Sequence, residues 1–314
     1  MHDGPAIEAK GLVKAFDGKL AVDGVDIAVP AGSIYGILGP NGAGKTTTLR
    51  MLLGIIDPDS GHRTLLGHER PLEAAHLVGY LPEERGLYPA MKTREAVAFM
   101  GALRGLPLKV GRQRAEELLR ANGLGDYLDK PVRSLSKGMA QTVQLLGTIV
   151  HEPRLIVLDE HFSGLDAINQ ARLENLIRAR AADGATIIFS THVIAHAERL
   201  CERIAIIAGG KIRFEGRVRE ARERLRPQVR LRMRDEGGWR GALPPEAVEQ
   251  DGMWQFELPA DGVEPLLKAL IASGAGIEEL SIERPGLHDA FVAIAGPQAA
   301  KALAESAIDL EAAQ

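Results

Sequence analysis

The chain has 314 residues, 45% of them hydrophobic and 25% charged, with a net charge of −4. This length exceeds one comfortable core, so two domains are expected in an ordinary globular protein. The charge gives no general drive toward nucleic acid or anionic membranes, and no apolar run approaches the roughly 20 residues that cross a bilayer.

The opening Met1-His2-Asp3-Gly4 lacks a basic region followed by an apolar stretch, so no secretory leader is expected. Residues 7–30 read as short strands joined by turns at Asp17-Gly18, Asp23-Gly24 and Pro30. Ser33 to Leu38 reads as a buried strand. It runs into Gly39-Pro40-Asn41-Gly42-Ala43-Gly44-Lys45-Thr46, the pattern G-x-x-x-x-G-K-[ST]. Glycines let such a loop wrap a triphosphate with its N–H groups turned inward. Lys45 can reach the β- and γ-phosphates, and the Thr46 hydroxyl can ligate Mg²⁺. Thr46 to Ile56, with Thr47 in its first turn, reads as a helix whose positive end faces those phosphates.

Leu77 to Leu81 reads as a short strand, and Thr93 to Val150 is helical in pattern. Within it Arg112 to Ala121 is amphipathic, with Ala115, Leu118 and Leu119 on one face. Leu155-Ile156-Val157-Leu158 and Thr186-Ile187-Ile188-Phe189 are continuous apolar runs, typical of strands buried on both faces of a parallel sheet. A helix over Ala167 to Ala182 lies between them. Ile204–Ala208 and Lys211–Phe214 read as a hairpin across Gly209-Gly210. The single cysteine, Cys201, cannot form an internal disulfide and suits a reducing cytoplasm. Composition shifts near residue 217. From Arg217 to Arg240 nine arginines face four acidic residues, which reads as a solvated connecting helix and edge strand. The remainder alternates strands with helices over Val263–Ala272 and beyond Arg284, as a small appendage would.

A phosphate loop needs a carboxylate at the end of a neighbouring strand, and Asp159-Glu160 follows the first apolar run. Asp159 is placed to hold Mg²⁺. Glu160 is placed to orient or deprotonate an attacking water, since a carboxylate beside a γ-phosphate is a competent general base.

With these motifs in this order, residues 7–216 resemble the nucleotide-binding subunits of ABC transporters. Leu135-Ser136-Lys137-Gly138-Met139 sits where that family carries its signature, a loop that caps the γ-phosphate of ATP bound to the opposite subunit. Ser136 and the Gly138 N–H are the matching groups. Ser163-Gly164-Leu165-Asp166 resembles the loop whose aspartate contacts the partner's phosphate loop. His192 resembles the switch histidine on the γ-phosphate, and Phe16 stands where an aromatic stacks on adenine. The resemblance implies an α/β fold, a P-loop NTPase of ABC-cassette type. It has a mixed sheet core, an antiparallel β subdomain and a helical subdomain over about 90–150, within a nucleotide-binding domain of residues 1–220. Residues 226–314 would form a small C-terminal α+β accessory domain.

Departures from the family pattern concern coupling. Glu83 stands where glutamine usually touches Mg²⁺ and senses the membrane partner, with Arg85 close enough in sequence to offset its charge. Lys137 and Met139 replace Gly and Gln in the signature, and His161 replaces a common proline. The run Pro82 to Pro89 and the segment Arg284 to Val292 resemble ABC-2 type exporter ATPases, including sodium-extrusion and drug-efflux members. The resemblance therefore implies an ATPase using ATP and Mg²⁺ on the cytoplasmic face of a membrane. Its partners would be a second cassette, in a homodimer, and a separate polytopic permease, with no nucleic acid and no span of its own. The competing class, a soluble ABC ATPase acting on nucleic acid, ribosomes or a regulatory partner, commonly has two fused cassettes or a long coiled coil. This chain has one phosphate loop and no heptad run.

Overall fold

A computed structural model describes residues 4–84, 86–162, 167–234, 238–274, 276–299 and 301–303. The chain divides into two compact units: residues up to Val218 together with the chain from Ile294 on, and Arg219–Ala293.

In the first unit two long strands, β1 (Ile7–Phe16) and β2 (Lys19–Val29), reverse across Asp17-Gly18, both at positive φ. The Asp23-Gly24 turn expected from sequence does not form. Pairing steps from Leu12↔Val25 to Lys14↔Val22, so Asp23 and Gly24 make a bulge inside β2, with Gly24 at φ 68°. Val22, Val25 and Ile27 on either side of the bulge are all buried, and that shared core keeps the strand continuous. Next come β3 (Ile34–Leu38) and α1 (Lys45–Leu52). Then β4 (Ser60–Leu65) pairs with the other edge of β1, giving an antiparallel sheet ordered β2-β1-β4.

The main sheet adds β5 (Val78–Leu81), β6 (Leu155–Asp159), β7 (Thr186–Thr191), β8 (Arg203–Ala208) and β9 (Lys211–Arg217). Its order among the described residues is β5-β6-β7-β3-β8-β9. All neighbours run parallel except the β8–β9 hairpin, so the sheet is mixed. Every residue of β6 and β7 is buried, as their unbroken apolar runs require. One core joins the two sheets through α1, with Ile7, Tyr35, Leu49, Val157 and Ile188 among its members.

Between β5 and β6 the chain forms α2 (Thr93–Ala102), α3 (Leu108–Ala121) and α4 (Lys137–Ile149), which pack on one another. The buried stripe of α3 is Gly111, Ala115 and Leu119, one residue every turn. Helices α5 (Ala167–Ala182), α6 (Ile194–Leu200) and α7 (Val218–Arg222) follow β6, β7 and β9 in the chain.

The second unit carries β10 (Gln228–Met233), β11 (Val248–Gln250), β12 (Met253–Glu257), α8 (Val263–Ala272), β13 (Ile277–Glu283) and the start of α9 (Leu287–Ala295). Its antiparallel sheet runs β11-β12-β10-β13, over a core of Val229, Leu231, Trp239, Phe256, Leu266 and Leu270. The arginine-rich segment therefore supplies an interior strand, not the edge strand expected. Val229 and Leu231 point into the core. Arg230 and Arg232 alternate outward and pair with Glu283 at 3.6 Å and Glu279 at 3.7 Å on β13.

Gly79 brings β5 against the end of α4 backbone to backbone. A Cβ there would lie 2.4 Å from the Thr148 carbonyl oxygen and 3.1 Å from Pro153 Cγ. Gly79→Ala should therefore lower stability by about 1–3 kcal/mol, as overpacking does. Gly86→Ala, whose nearest neighbour would be 4.0 Å away, should stay within about 0.5 kcal/mol of the parent. Thermal unfolding of both variants checks this, and equal midpoints would reject the contact.

Candidate functional site

The loop from Gly39 to Thr46 is wedged between two strands. A Cβ on Gly39 would sit 2.4 Å from the Ile207 carbonyl oxygen of β8, and one on Gly44 would sit 2.4 Å from the Ala21 carbonyl oxygen of β2. Gly44 also has φ 101°, so both the space and the conformation demand glycine. The Ala43 N–H closes the turn on the Pro40 carbonyl at 3.2 Å, and the Ala43 carbonyl accepts from the Gly210 N–H at 3.1 Å. Asn41 and Gly42 are exposed, Ala43 is buried, and Thr46 and Thr47 are half-buried. Because α1 starts at Lys45, its unpaired N–H groups and positive end lie at the loop.

Beneath the loop three side chains form one chain of contacts. Lys45 Nζ donates to the Gly39 and Pro40 carbonyl oxygens at 2.8 and 3.0 Å and pairs with Glu160 Oε1 at 2.9 Å. Glu160 Oε2 meets His192 Nδ1 at 2.8 Å. Each of the three is less than a tenth exposed. Burial pushes the Glu160 carboxyl up, but the His192 hydrogen bond and the Lys45 charge outweigh it and hold the group below its usual range. Glu160 sits at φ 51°, uncommon for a residue with a side chain, and its N–H is held by Ser190 Oγ at 3.0 Å. Phe162, two residues on, lies between Phe189 at 5.2 Å and the stacked His196 ring at 4.3 Å.

Asp159 is fully buried beside them. Its Oδ1 accepts from Ser190 Oγ at 2.6 Å and Thr46 Oγ1 at 3.0 Å, and its Oδ2 from the Tyr80 hydroxyl at 3.4 Å. A hydroxyl beside a carboxylate offers hard oxygens that fit Mg²⁺. Among the described residues no three His, Cys, Asp or Glu side chains converge on a metal position.

Other residues expected at the site stand apart from this cluster. Glu83 is exposed and pairs with no other described residue. Phe16 is 48% exposed, with Lys14 Nζ 5.7 Å from its ring centre, so it is not a core phenylalanine. Ser136 is exposed and caps α4, accepting from the Met139 N–H at 3.3 Å. A Cβ on Gly138 would come within 2.6 Å of Asn169 Nδ2, so the start of α4 packs closely on α5. Asp166, with Ser163, Gly164 and Leu165, and Arg85 lie outside the described residues. Sequence reasoning missed Ser190 and Tyr80. Their signal was modest: a polar residue near the C-terminal end of an apolar strand, where an α/β sheet gathers its ligands.

The ABC transporter family model matches residues 22–163. The ABC transporter ATP-binding protein YhaQ of Bacillus subtilis (strain 168) is 34% identical over 291 residues, covering 90% of this chain and 95% of that protein. The daunorubicin/doxorubicin resistance ATP-binding protein DrrA of Streptomyces peucetius is 38% identical, covering 73% of this chain and 71% of its own. A solved ATP binding subunit of an ABC transporter superposes with a TM-score of 0.64 at 29% identity, covering 70% of this chain and 92% of that one.

His161, directly after Glu160, is buried, and burial drives its ring down to about 4, with the Asp159 backbone offsetting only part of the fall. The unfolded ring titrates near 6.5. Between these values the unfolded chain binds a proton that the folded chain does not. The stability from neutral His161 is thus complete above about pH 6.5 and lost as pH falls toward 4, by up to about 1.4 kcal/mol per pH unit. His161→Leu should flatten the pH dependence of the unfolding midpoint between pH 7 and 5. An unchanged slope would show that other groups set it.

Proposed function

Because the chain belongs to the ATP-binding proteins of ABC transporters, we propose that it is the ATP-hydrolysing subunit of an ABC-2 type exporter, driving a separate membrane permease. The observation that supports this most is the buried Lys45–Glu160–His192 chain at the foot of the phosphate loop. ATP would draw Lys45 away from Glu160 to its β- and γ-phosphates. Glu160 would then lose the Lys45 charge, one of the two contacts that hold its proton affinity down, and become a stronger base.

In hydrolysis a water oxygen bonds to the γ-phosphorus while the bond to the β–γ bridging oxygen breaks. The water's proton passes to Glu160, and ADP and inorganic phosphate leave. His192 Nε2 is buried and has no partner among the described residues. With Nδ1–H facing Glu160, Nε2 can meet a phosphate oxygen only as a second N–H, so this role belongs to the imidazolium. We assign Thr46, Asp159 and Glu83 to Mg²⁺, which when bound neutralises charge developing on the phosphates. The loop from Gly39 to Thr47, at the start of α1, would cradle the anion through its backbone N–H groups, Pro40 having none.

A second copy of the cassette would close the site. Ser136 and the Gly138 N–H, at the positive end of α4, would cap ATP held by the partner's Lys45 loop. Asp166 is assigned to the contact between the two loops, and exposed Phe16 to adenine. No helix among the described residues is long and apolar enough to cross a membrane. A span would then come from a permease, which we place against the helical region and the segment around Glu83, where Tyr88 and Leu103 are exposed. This seats the protein on the cytoplasmic face of the membrane, with the second unit as an accessory domain. The export reading is supported by DrrA, named for drug resistance, and by the Nod factor export ATP-binding protein I of Burkholderia lata, 38% identical over 213 residues.

Glu160→Gln should leave ATP binding intact and slow phosphate release by about 10²–10⁴, the usual contribution of a general base. Turnover equal to the parent's would remove Glu160 from that role.

A further inference from the structure

The metal-facing carboxylate has a support that the hydrolysis scheme does not use. Asp159 Oδ1 is taken by Thr46 and Ser190, and Oδ2 is met by the Tyr80 hydroxyl at 3.4 Å. The Arg50 side chain lies beside the Tyr80 phenol and acts on it electrostatically. A carboxylate oxygen accepts, so in the contact between them Tyr80 is the donor and Asp159 the acceptor.

Placement gives this chain its sense. Thr46 and Arg50 are four residues apart on α1 and share one face. One helix thus reaches Asp159 Oδ1 directly through Thr46 and places Arg50 beside the Tyr80 that meets Oδ2. Tyr80 lies on β5, the neighbour of β6, with Tyr80 opposite Val157 and Leu81 opposite Leu158. Two residues beyond Tyr80 the chain leaves the sheet toward Glu83. The carbonyl of Glu84 is in turn held by Gln144 of α4 at 3.1 Å, so this segment is anchored at both ends.

We infer that Tyr80, set by Arg50, is a positioning residue that fixes the orientation of Asp159 toward a divalent cation and ties it to the Glu83 segment. This rests on the reading of Asp159 and Thr46 as metal-holding groups. Ligating carboxylates depend on such outer partners, whose loss typically weakens metal affinity about 10- to 100-fold. The long 3.4 Å contact places the effect at the low end.

The test uses the full chain, a fluorescent ATP analogue and Mn²⁺ as the metal probe. Analogue affinity is measured in chelator, and the Mn²⁺ concentration for half-maximal enhancement of binding is then titrated. Tyr80→Phe keeps the ring and should raise that Mn²⁺ concentration about fivefold or more, with chelator affinity within about twofold of the parent. Arg50→Met should move it the same way by less, and Arg50→Lys, which retains the charge, should restore it. A parental Mn²⁺ titration for Tyr80→Phe would overturn the proposal. So would equal losses of analogue affinity with and without metal, the mark of a merely structural role. If the parent's binding ignored Mn²⁺ altogether, the metal reading itself would fail, a different result from a variant that matches a metal-dependent parent.

Discussion

A buried ion pair governs this molecule's first unit: Lys45 against Glu160 at 2.9 Å, both sheltered from water. Removing two charges from water costs on the order of several kcal/mol each, and mutual attraction offsets this only where further hydrogen bonds complete both groups. Two loop carbonyls accept from the ammonium and His192 meets Glu160 Oε2, while Glu160 Oε1 has only the Lys45 charge and no hydrogen bond among the described residues. The pair also fixes topology. Lys45 follows β3 and Glu160 follows β6, yet these strands are not neighbours, because β7 lies between them. The loop and the acid must meet across the end of β7, and β7 supplies what fills the gap. Ser190 bonds both Asp159 and the Glu160 N–H, and His192, just past the strand, takes the far oxygen of Glu160.

This explains which parts of the site were legible in the sequence. The phosphate loop is contiguous, and its glycines carry their reason locally: Gly44 needs both a left-handed φ and bare space against Ala21. Asp159 and Glu160 end an apolar run that could only be a buried strand. Ser190 and Tyr80 matter because of sheet order, with β7 on one side of β6 and β5 on the other, and periodicity says nothing about order. Asp23-Gly24 failed as a turn for a similar reason. The dipeptide permits a reversal, but apolar residues on both sides belong to one core, and tertiary burial overrode local turn chemistry. In the second unit the density of arginines suggested an exposed edge. The strand alternates, so one face carries all the charge while the other carries Val229 and Leu231 into the core.

Exposure divides the expected residues into two groups. The charged and imidazole groups satisfied within the chain, Lys45, Asp159, Glu160 and His192, are buried, and Thr46, which meets Asp159, is half-buried. Those assigned to a partner copy or to ligands at the rim, Ser136, Phe16 and Glu83, are exposed. A group that is to meet another molecule has to face water, which satisfies its polar atoms in the meantime. Ser136 is exposed and also caps its own helix. The α4 N-terminus is thereby kept folded, and its dipole stays available at the surface.

The contacts around the two acids also separate what moves from what stays. The ligands of Lys45 in this structure are exchangeable, since phosphate oxygens can replace two carbonyls and a carboxylate without stranding the ammonium. If Lys45 left for a phosphate as proposed, Glu160 would keep His192 and its Ser190-bound backbone, so its geometry would survive while its proton affinity rose. Asp159 has no such freedom. Thr46 and Ser190 donate to one oxygen, and Tyr80 meets the other at 3.4 Å. None of these partners changes charge when Lys45 moves. On the proposed reading, nucleotide binding would alter Glu160 without disturbing Asp159, although the two residues are adjacent in the chain. The left-handed backbone at Glu160, φ 51°, is what turns neighbouring side chains toward these separate tasks.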